Sequence, residues 1–517
     1  MSFTKEPKAQ AEAGAPAGRK LTGSLGATAI VFMVVAAASP LTVVGGAAPL
    51  GILLGNGAGF PALYAISAVI LLLFAVGLSA MTRVVPRPGA FFTFVGYGLG
   101  TKSGLAAAYL ALLTYTTIQV SVYGYVGFIL QTTVVSLGGP DLPWYLYSIA
   151  VIACVGILGF RHIDLSSKVL GVLLVAEVGI VLVLVGAIMF SGGADGLSLE
   201  TFEPSNVVSG APGVGLMFAI AAFIGFEATA IFRDEARDPN RTIPRATYAA
   251  VIGIGLFYTF ASWGLVMAWG PNNVVDVAAQ DPGTMMLVTT AMYLGVAGEV
   301  LMNVLLITSM FACVLSFHNV ITRYQHSMSN AKVLPDVLGR VHPKHLSPHT
   351  SSLVQTITAV ALIVLFAVLQ LDPVLAVFTW FAGVATLAIA ILMALTSVAV
   401  LVYFAKNKAD ARLWQTKIAP SLGLLGLILS AAIITAYFPI MVGDVNEAGE
   451  PTFGVISIVL LVLIAVFPVA GWVQATLLQR NQPKVYAGIT EAISAAPVAT
   501  IPEKLTPDTT IPTDGKN

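Results

Sequence analysis

Charge is what this chain has least of. Lys, Arg, Asp and Glu make up only 10% of its 517 residues, 25 basic and 25 acidic, where a soluble domain carries about 25%. With 57% hydrophobic residues, that shortage excludes an ordinary soluble globule and puts the chain in lipid. The formal net charge is zero, so the basic footprint of a nucleic-acid binder is missing and no nucleic-acid partner is expected. Cysteine is nearly absent as well. Cys154 and Cys313 both sit inside apolar runs, so buried thiols and no disulfide framework are expected. No run resembles HExxH, a P-loop or a nucleophile elbow. The expectation is therefore a chain that is not an enzyme, with no catalytic residues, no cofactor, no metal site and no direct ATP drive. A cleavable signal peptide is not expected either, because the polar first 21 residues lead into a run too long for one.

What the chain does have is long apolar runs. A helix of about 20 residues crosses the hydrocarbon core of a bilayer. Twelve such runs lie near 24–48, 59–80, 103–136, 143–160, 166–190, 212–232, 245–269, 298–324, 352–370, 374–404, 418–440 and 453–478. If the N-terminus is cytoplasmic, all 25 Lys and Arg fall on the inner side, at Arg83–Lys102, Arg161–Lys168, Arg233–Arg245, Arg323–Lys344, Lys406–Lys417 and in both tails. The outer loops hold acids such as Asp141, Asp195, Glu200, Glu203, Asp276 and Glu447 but no base. One misplaced span would have scrambled this alternation. The expectation is a multi-pass protein of the plasma (inner) membrane with both ends cytoplasmic. Residues 1–21 and 481–517, mixtures of Ala, Pro, Thr and Lys, read as disordered tails around a membrane domain over 22–480.

The sixth run carries the most specific chemistry. Phe218–Ala246 reads FAIAAFIGFEATAIFRDEARDPNRTIPRA: an apolar span with Glu227 just past its middle, then a dense charged loop. A charge deep in a bilayer costs roughly 3 kcal/mol on insertion scales, so Glu227 must face protein, water or a passing solute. In the first run Ser39-Pro40-Leu41-Thr42-Val43 puts a proline mid-span, where it removes a backbone donor and clashes with the preceding turn. In the sixth, Ala221-Ala222-Phe223-Ile224-Gly225 is rich in small residues and ends in glycine. Each alone reads equally well as an ordinary kink or packing face. Together, at the first positions of two five-span halves, they favour a binding site.

Gly225-Phe226-Glu227, followed by Asp238-Pro239, Arg241 and Ile243-Pro244-Arg245-Ala246, resembles the sixth span and following loop of the amino acid–polyamine–organocation (APC) superfamily. The resemblance extends over nearly all of 22–480, through Pro86-Arg87-Pro88-Gly89-Ala90-Phe91-Phe92 after span 2 and Arg323-Tyr324, Leu334-Pro335 and Val341-His342-Pro343 after span 8. It implies an all-α membrane protein of 12 transmembrane helices, a 5+5 inverted repeat (the LeuT-like, APC fold) plus two C-terminal helices, with helices 1 and 6 broken. In such carriers the broken ends bind the solute. That places Ser39, Pro40, Leu41, Thr42 and Val43 of span 1, and Ala221, Ala222, Phe223 and Gly225 of span 6, at the substrate. Two departures matter. Ser39-Pro40-Leu41-Thr42 is closer to the family's putrescine importers than to the Gly–Ser–Gly string common in its amino acid carriers. A position often filled by an aromatic gate is Ala221, leaving Phe223, Phe378 or Trp380 to gate.

Glu177 stands mid-span in the fifth run, where many family members resemble one another in carrying a lysine. A glutamate there suits a proton carrier, a cation ligand or a partner for an amine; the plain alternative is an acid held neutral by a hydroxyl or carbonyl. Tyr115, Gln119 and Tyr123 recur every four residues and share a face of span 3, suited to substrate or to interhelical bonding. The reading is a secondary carrier importing an amino acid or related organic amine with protons, Glu177 or Glu227 carrying the proton. Its partners are the small-molecule substrate and the bilayer. Open alternatives are a putrescine- or ethanolamine-type amine importer, or an exchanger. Which solute is carried and the oligomeric state are left open.

Overall fold

A computed structural model describes residues 26–85, 91–161, 167–229, 236–343, 345, 347–407 and 412–494. The expectations for residues 1–21, Pro86–Ala90 and Arg233 fall outside them. The described chain is helical, and its helices are long and apolar enough to cross a membrane ten times over, with Trp144–Phe160 a shorter eleventh. One of the ten, Pro40–Met81, contains the end of span 1 and the whole of span 2 (Phe60–Met81), which brings the passes to twelve. Their outer faces are apolar where a soluble protein's would be polar. Phe190 is 97% exposed, and Val459, Val462, Val466 and Val469 of span 12 are also bare, a surface that lipid covers.

Span 3 (Thr101–Ser136) runs through the middle and touches spans 4, 8, 10 and 12. Span 2 packs on span 7 (Pro239–Trp269), span 3 on span 8, and span 4 (Trp144–Phe160) on span 9 (His349–Val368). Each pairing is five spans apart, as the 5+5 inverted repeat requires. Spans 11 (Trp414–Ala436) and 12 (Val455–Asn481) are added outside it.

Both first-of-repeat helices are broken. In span 1 the first half ends at Ala38 and Ser39 takes the left-handed conformation, φ 53° and ψ 74°. The cause is local. A residue before proline is disfavoured in the right-handed helical region, while Pro40 itself suits the first position of a new helix. The expected break over Ser39–Val44 is thus narrower: Pro40–Thr42 is already helical and Val43–Ala47 continues as a wider π-helical turn. Span 6 (Pro212–Ala221) stops one residue later than expected, so Ala221 is its last helical residue and Ala222–Gly225 forms the turn.

Other departures have plain reasons. Span 8 was expected over 298–324, but helix runs over Met285–Asn330: the apolar stretch from Met285 to Leu294 continues it beyond a kink at Gly295 (φ 70°), and the polar Gln325–Asn330 extends the other end. The tail expected from 481 begins with a helix, Pro483–Ser494, whose Ile489 and Ile493 pack in a cluster with Leu105 and Met328. Cys154, expected buried, is exposed on the outer face of span 4 near the bare Ile157, and a thiol is apolar enough for lipid. Cys313 is buried.

Candidate functional site

The two breaks approach one another around a small cavity of ≈ 40 Å³. Thr42 and Val43 line it from span 1, Ala221 and Ala222 from span 6, and Phe378 from span 10 (Pro373–Lys406). Ile118 and Val122 of span 3, with Cys313 and Phe317 of span 8, were not singled out from the sequence; apolar residues in apolar helices carry no signal of which face is inward. A far larger cavity, ≈ 570 Å³, lies between Phe92, Leu105, Met328 and the C-terminal helix. We place the site at the smaller one because both breaks converge there.

Each break is held by an acid. Ser39 Oγ lies 2.5 Å from Thr42 Oγ1 and 2.8 Å from Ser309 Oγ. The Ser309 hydroxyl donates to Glu177 Oε2 at 2.7 Å. The backbone amide of Leu41, one of the orphan donors at the start of a helix, donates to the same carboxylate. A continuous line of hydroxyls thus joins Thr42, in the cavity wall, to Glu177 in span 5 (Ser167–Ser191), which is 4% exposed. Ser309 is the residue that sequence reasoning missed. A serine in a membrane helix is ordinarily packing glue, and its partners lie 270 and 132 residues away.

At the second break Gly225 has φ 112°, a region in which L side chains are strained. Its amide donates to Glu227 Oε2 at 2.9 Å, and the Tyr115 hydroxyl donates to Oε1 at 2.7 Å. Glu227 therefore caps its own turn and ties it to span 3. Both acids are buried, and neither lines the cavity.

The remaining candidates are placed as follows. Ser39, Pro40 and Leu41 shape the break without lining the cavity. Tyr115 reaches Glu227, stacking near Phe317 and Tyr324. Gln119, expected among the substrate contacts, faces elsewhere: its amide donates to the Val314 carbonyl at 2.9 Å, and its oxygen accepts from Gln355 of span 9 at 2.8 Å. Those are bonds between helices. Phe223 turns edge-on to Tyr258 of span 7, away from the cavity, and Trp380 is half-buried outside its wall. Of the three gate candidates only Phe378 meets the cavity, tilted by 36° against Tyr125 with 5.1 Å between ring centres.

A family model described as amino acid permease matches residues 30–486. The chain is 22% identical to the low-affinity putrescine importer PlaP of Escherichia coli over 56% of its own length and 63% of that protein's. It thus matches less than two thirds of that relative. It is also 22% identical to the branched-chain amino acid permease BcaP of Bacillus subtilis, over 60% of this chain and 70% of that one. Over a shorter stretch, 26% of this chain and 31% of that one, it is 27% identical to the serine/threonine exchanger SteT of Bacillus subtilis. Among solved structures the manganese transporter of Eremococcus coleocola superposes with a TM-score of 0.56 at 14% identity, over 88% of this chain and 98% of that one. That likeness is one of fold.

Proposed function

Starting from the fact that this chain belongs to the amino acid permease family, we propose that it imports an amino acid or a related organic amine by alternating access, driven by protons. The observation that carries the coupling is the line Thr42–Ser39–Ser309–Glu177, with separations of 2.5, 2.8 and 2.7 Å. An ionised Glu177 accepts from Ser309 of span 8 and from the Leu41 amide, so it pins the break of span 1 to spans 5 and 8. A proton on that carboxyl removes its charge and weakens both bonds. The Leu41 amide, which stands behind the cavity wall while Glu177 holds it, and the positive end of its helix are then free to turn toward the carboxylate of a zwitterion, while carbonyls at the breaks take the ammonium. Substrate and proton are bound together because an ionised Glu177 and a substrate carboxylate would contest the same donors and repel. The protein sits in the plasma (inner) membrane with both ends cytoplasmic, a placement supported by the one-sided Lys and Arg.

The test is reconstitution with Glu177→Gln, which fixes a neutral side chain of the same shape. Counterflow exchange is expected to persist within a few fold, while accumulation driven by an inward pH gradient is lost. If pH-driven accumulation survives in Glu177→Gln and in Glu227→Gln alike, proton coupling at these acids is wrong. The second reading, an amine importer of the putrescine type or an exchanger, is favoured by Ser39-Pro40-Leu41-Thr42 and by the Escherichia coli relative. An exchanger would take up solute only into vesicles preloaded with amine, whatever the pH gradient.

A further inference from the structure

We propose that the solute is a small neutral amino acid with an uncharged aliphatic side chain, of alanine to valine size, and that diamines and charged amino acids are excluded. This rests on the reading that an amino acid or amine occupies the space between the two breaks. The walls of that space carry the argument. Among the described lining residues Thr42 alone has a hydroxyl, and none has a charge or an amide. Ile118, Val122, Phe317 and Ile224 present only carbon to whatever projects beyond the backbone ends.

The acids that made a diamine attractive from the sequence do not supply a second partner. Glu177 is engaged by Ser309 and the Leu41 amide, and Glu227 by Tyr115 and the Gly225 amide. Both stand behind the wall rather than in it. A distal ammonium, as in putrescine or lysine, would be buried against carbon without an acceptor, and a distal carboxylate without a donor. Each loses its hydration and gains nothing in return. A methyl or isopropyl group gains from the same burial. Size points the same way. A cavity of ≈ 40 Å³ holds on the order of a few waters, and the rings of Phe218, Phe317 and Phe378 close it. A site for a large side chain would need those rings to leave.

The experiment is uptake of labelled L-alanine and L-valine into proteoliposomes, with unlabelled L-lysine, L-glutamate, L-phenylalanine and putrescine as competitors. Saturable uptake of alanine and valine is expected, with the charged solutes and putrescine at least about 100-fold weaker as competitors. Putrescine or lysine competing within tenfold of alanine would overturn the side-chain assignment and leave the transport reading standing. Failure of every solute to accumulate or exchange would overturn both. A second measurement needs no transport. Cys154 lies on the outer face of span 4, so Cys154→Ala leaves the cavity residue Cys313 as the sole thiol. Alanine is expected to slow its alkylation by N-ethylmaleimide and putrescine to leave the rate unchanged. Protection by putrescine, or by no neutral amino acid, would sink the proposal.

Discussion

At Ser39 the chain turns on a residue with a side chain, whereas at Gly225 it turns on one without. The first turn has φ 53° and the second φ 112°. A serine in the left-handed region costs about 1–2 kcal/mol, and here its hydroxyl bonds to Thr42 and Ser309 offset that cost. The glycine needs no such help and receives none from a side chain of its own. The acids differ in the same sense. Glu227 sits two residues beyond the glycine and caps its own turn, with Tyr115 as its tie to the rest of the protein. Glu177 comes from another span, and its bonded group includes span 8 as well. One break is a local turn; the other is a joint between spans 1, 5 and 8. Protonating the acid of a joint would change how spans hold one another, which is why the coupling role is proposed for Glu177 rather than Glu227.

The largest effect expected from this difference comes from placing a side chain at the second turn. At Gly225 an added Cβ meets nothing within 4 Å, so the loss in Gly225→Val is expected to come chiefly from the backbone conformation. A β-branched residue at φ 112° is strained by about 3 kcal/mol, enough for a fall in uptake of roughly 100-fold. At Ser39 the parallel change, Ser39→Gly, relieves strain and removes only the hydroxyl. Uptake by the two variants at matched expression checks the contrast. If Gly225→Val transports normally, the second turn is not the fixed local element described.

How much of this was legible beforehand follows from what kind of interaction carries each part. Pro40 and the run Ala221-Ala222-Phe223-Ile224-Gly225 announce both breaks because the cause lies in the backbone preferences of adjacent residues. The spans and their count follow from apolar length. Ser309 was invisible because its meaning lies in partners in other spans, and Gln119 was misplaced for a related reason. Its spacing from Tyr115 and Tyr123 shows that they share a face, but not that the face meets Val314 and Gln355. The C-terminal helix was overlooked although Val485, Ile489 and Ile493 recur every four residues; the Ala, Pro and Thr around them masked that period.

An intermediate effect is expected from cutting the joint without touching either acid. Ser309→Ala removes the hydroxyl that donates to Glu177 and accepts from Ser39. A lost hydrogen bond to a charged partner is worth about 1.5–3 kcal/mol, so pH-driven accumulation should fall roughly tenfold. Ser309→Thr, which keeps the hydroxyl, should restore most of it. The readout that separates this from a packing defect is the ratio of pH-driven accumulation to counterflow: it falls in Ser309→Ala and is unchanged in Tyr115→Phe, which loosens the second break instead. Equal loss of both activities in Ser309→Ala would mean that the two breaks are not different in kind.

The smallest effect is expected where the breaks face each other across the cavity. Val43 lines it from span 1 and Ala221 from span 6, and neither makes a side-chain hydrogen bond that a swap would remove. Ala221→Val narrows the space and Val43→Ala widens it, so the two variants should shift selectivity in opposite directions with little change in overall activity. A valine side chain exceeds an alanine one by two carbons, and each methylene in a closed apolar pocket is worth about 1–3 kcal/mol, roughly 10- to 200-fold. Because helix ends yield more readily than a closed core, a shift of only a few-fold is expected. The measurement is the ratio of apparent KM for valine to that for alanine, rising about three-fold in Ala221→Val and falling about as much in Val43→Ala. A shift in the same direction for both would show that the two residues do not bound one space, and the convergence of the breaks on the solute would fail with it.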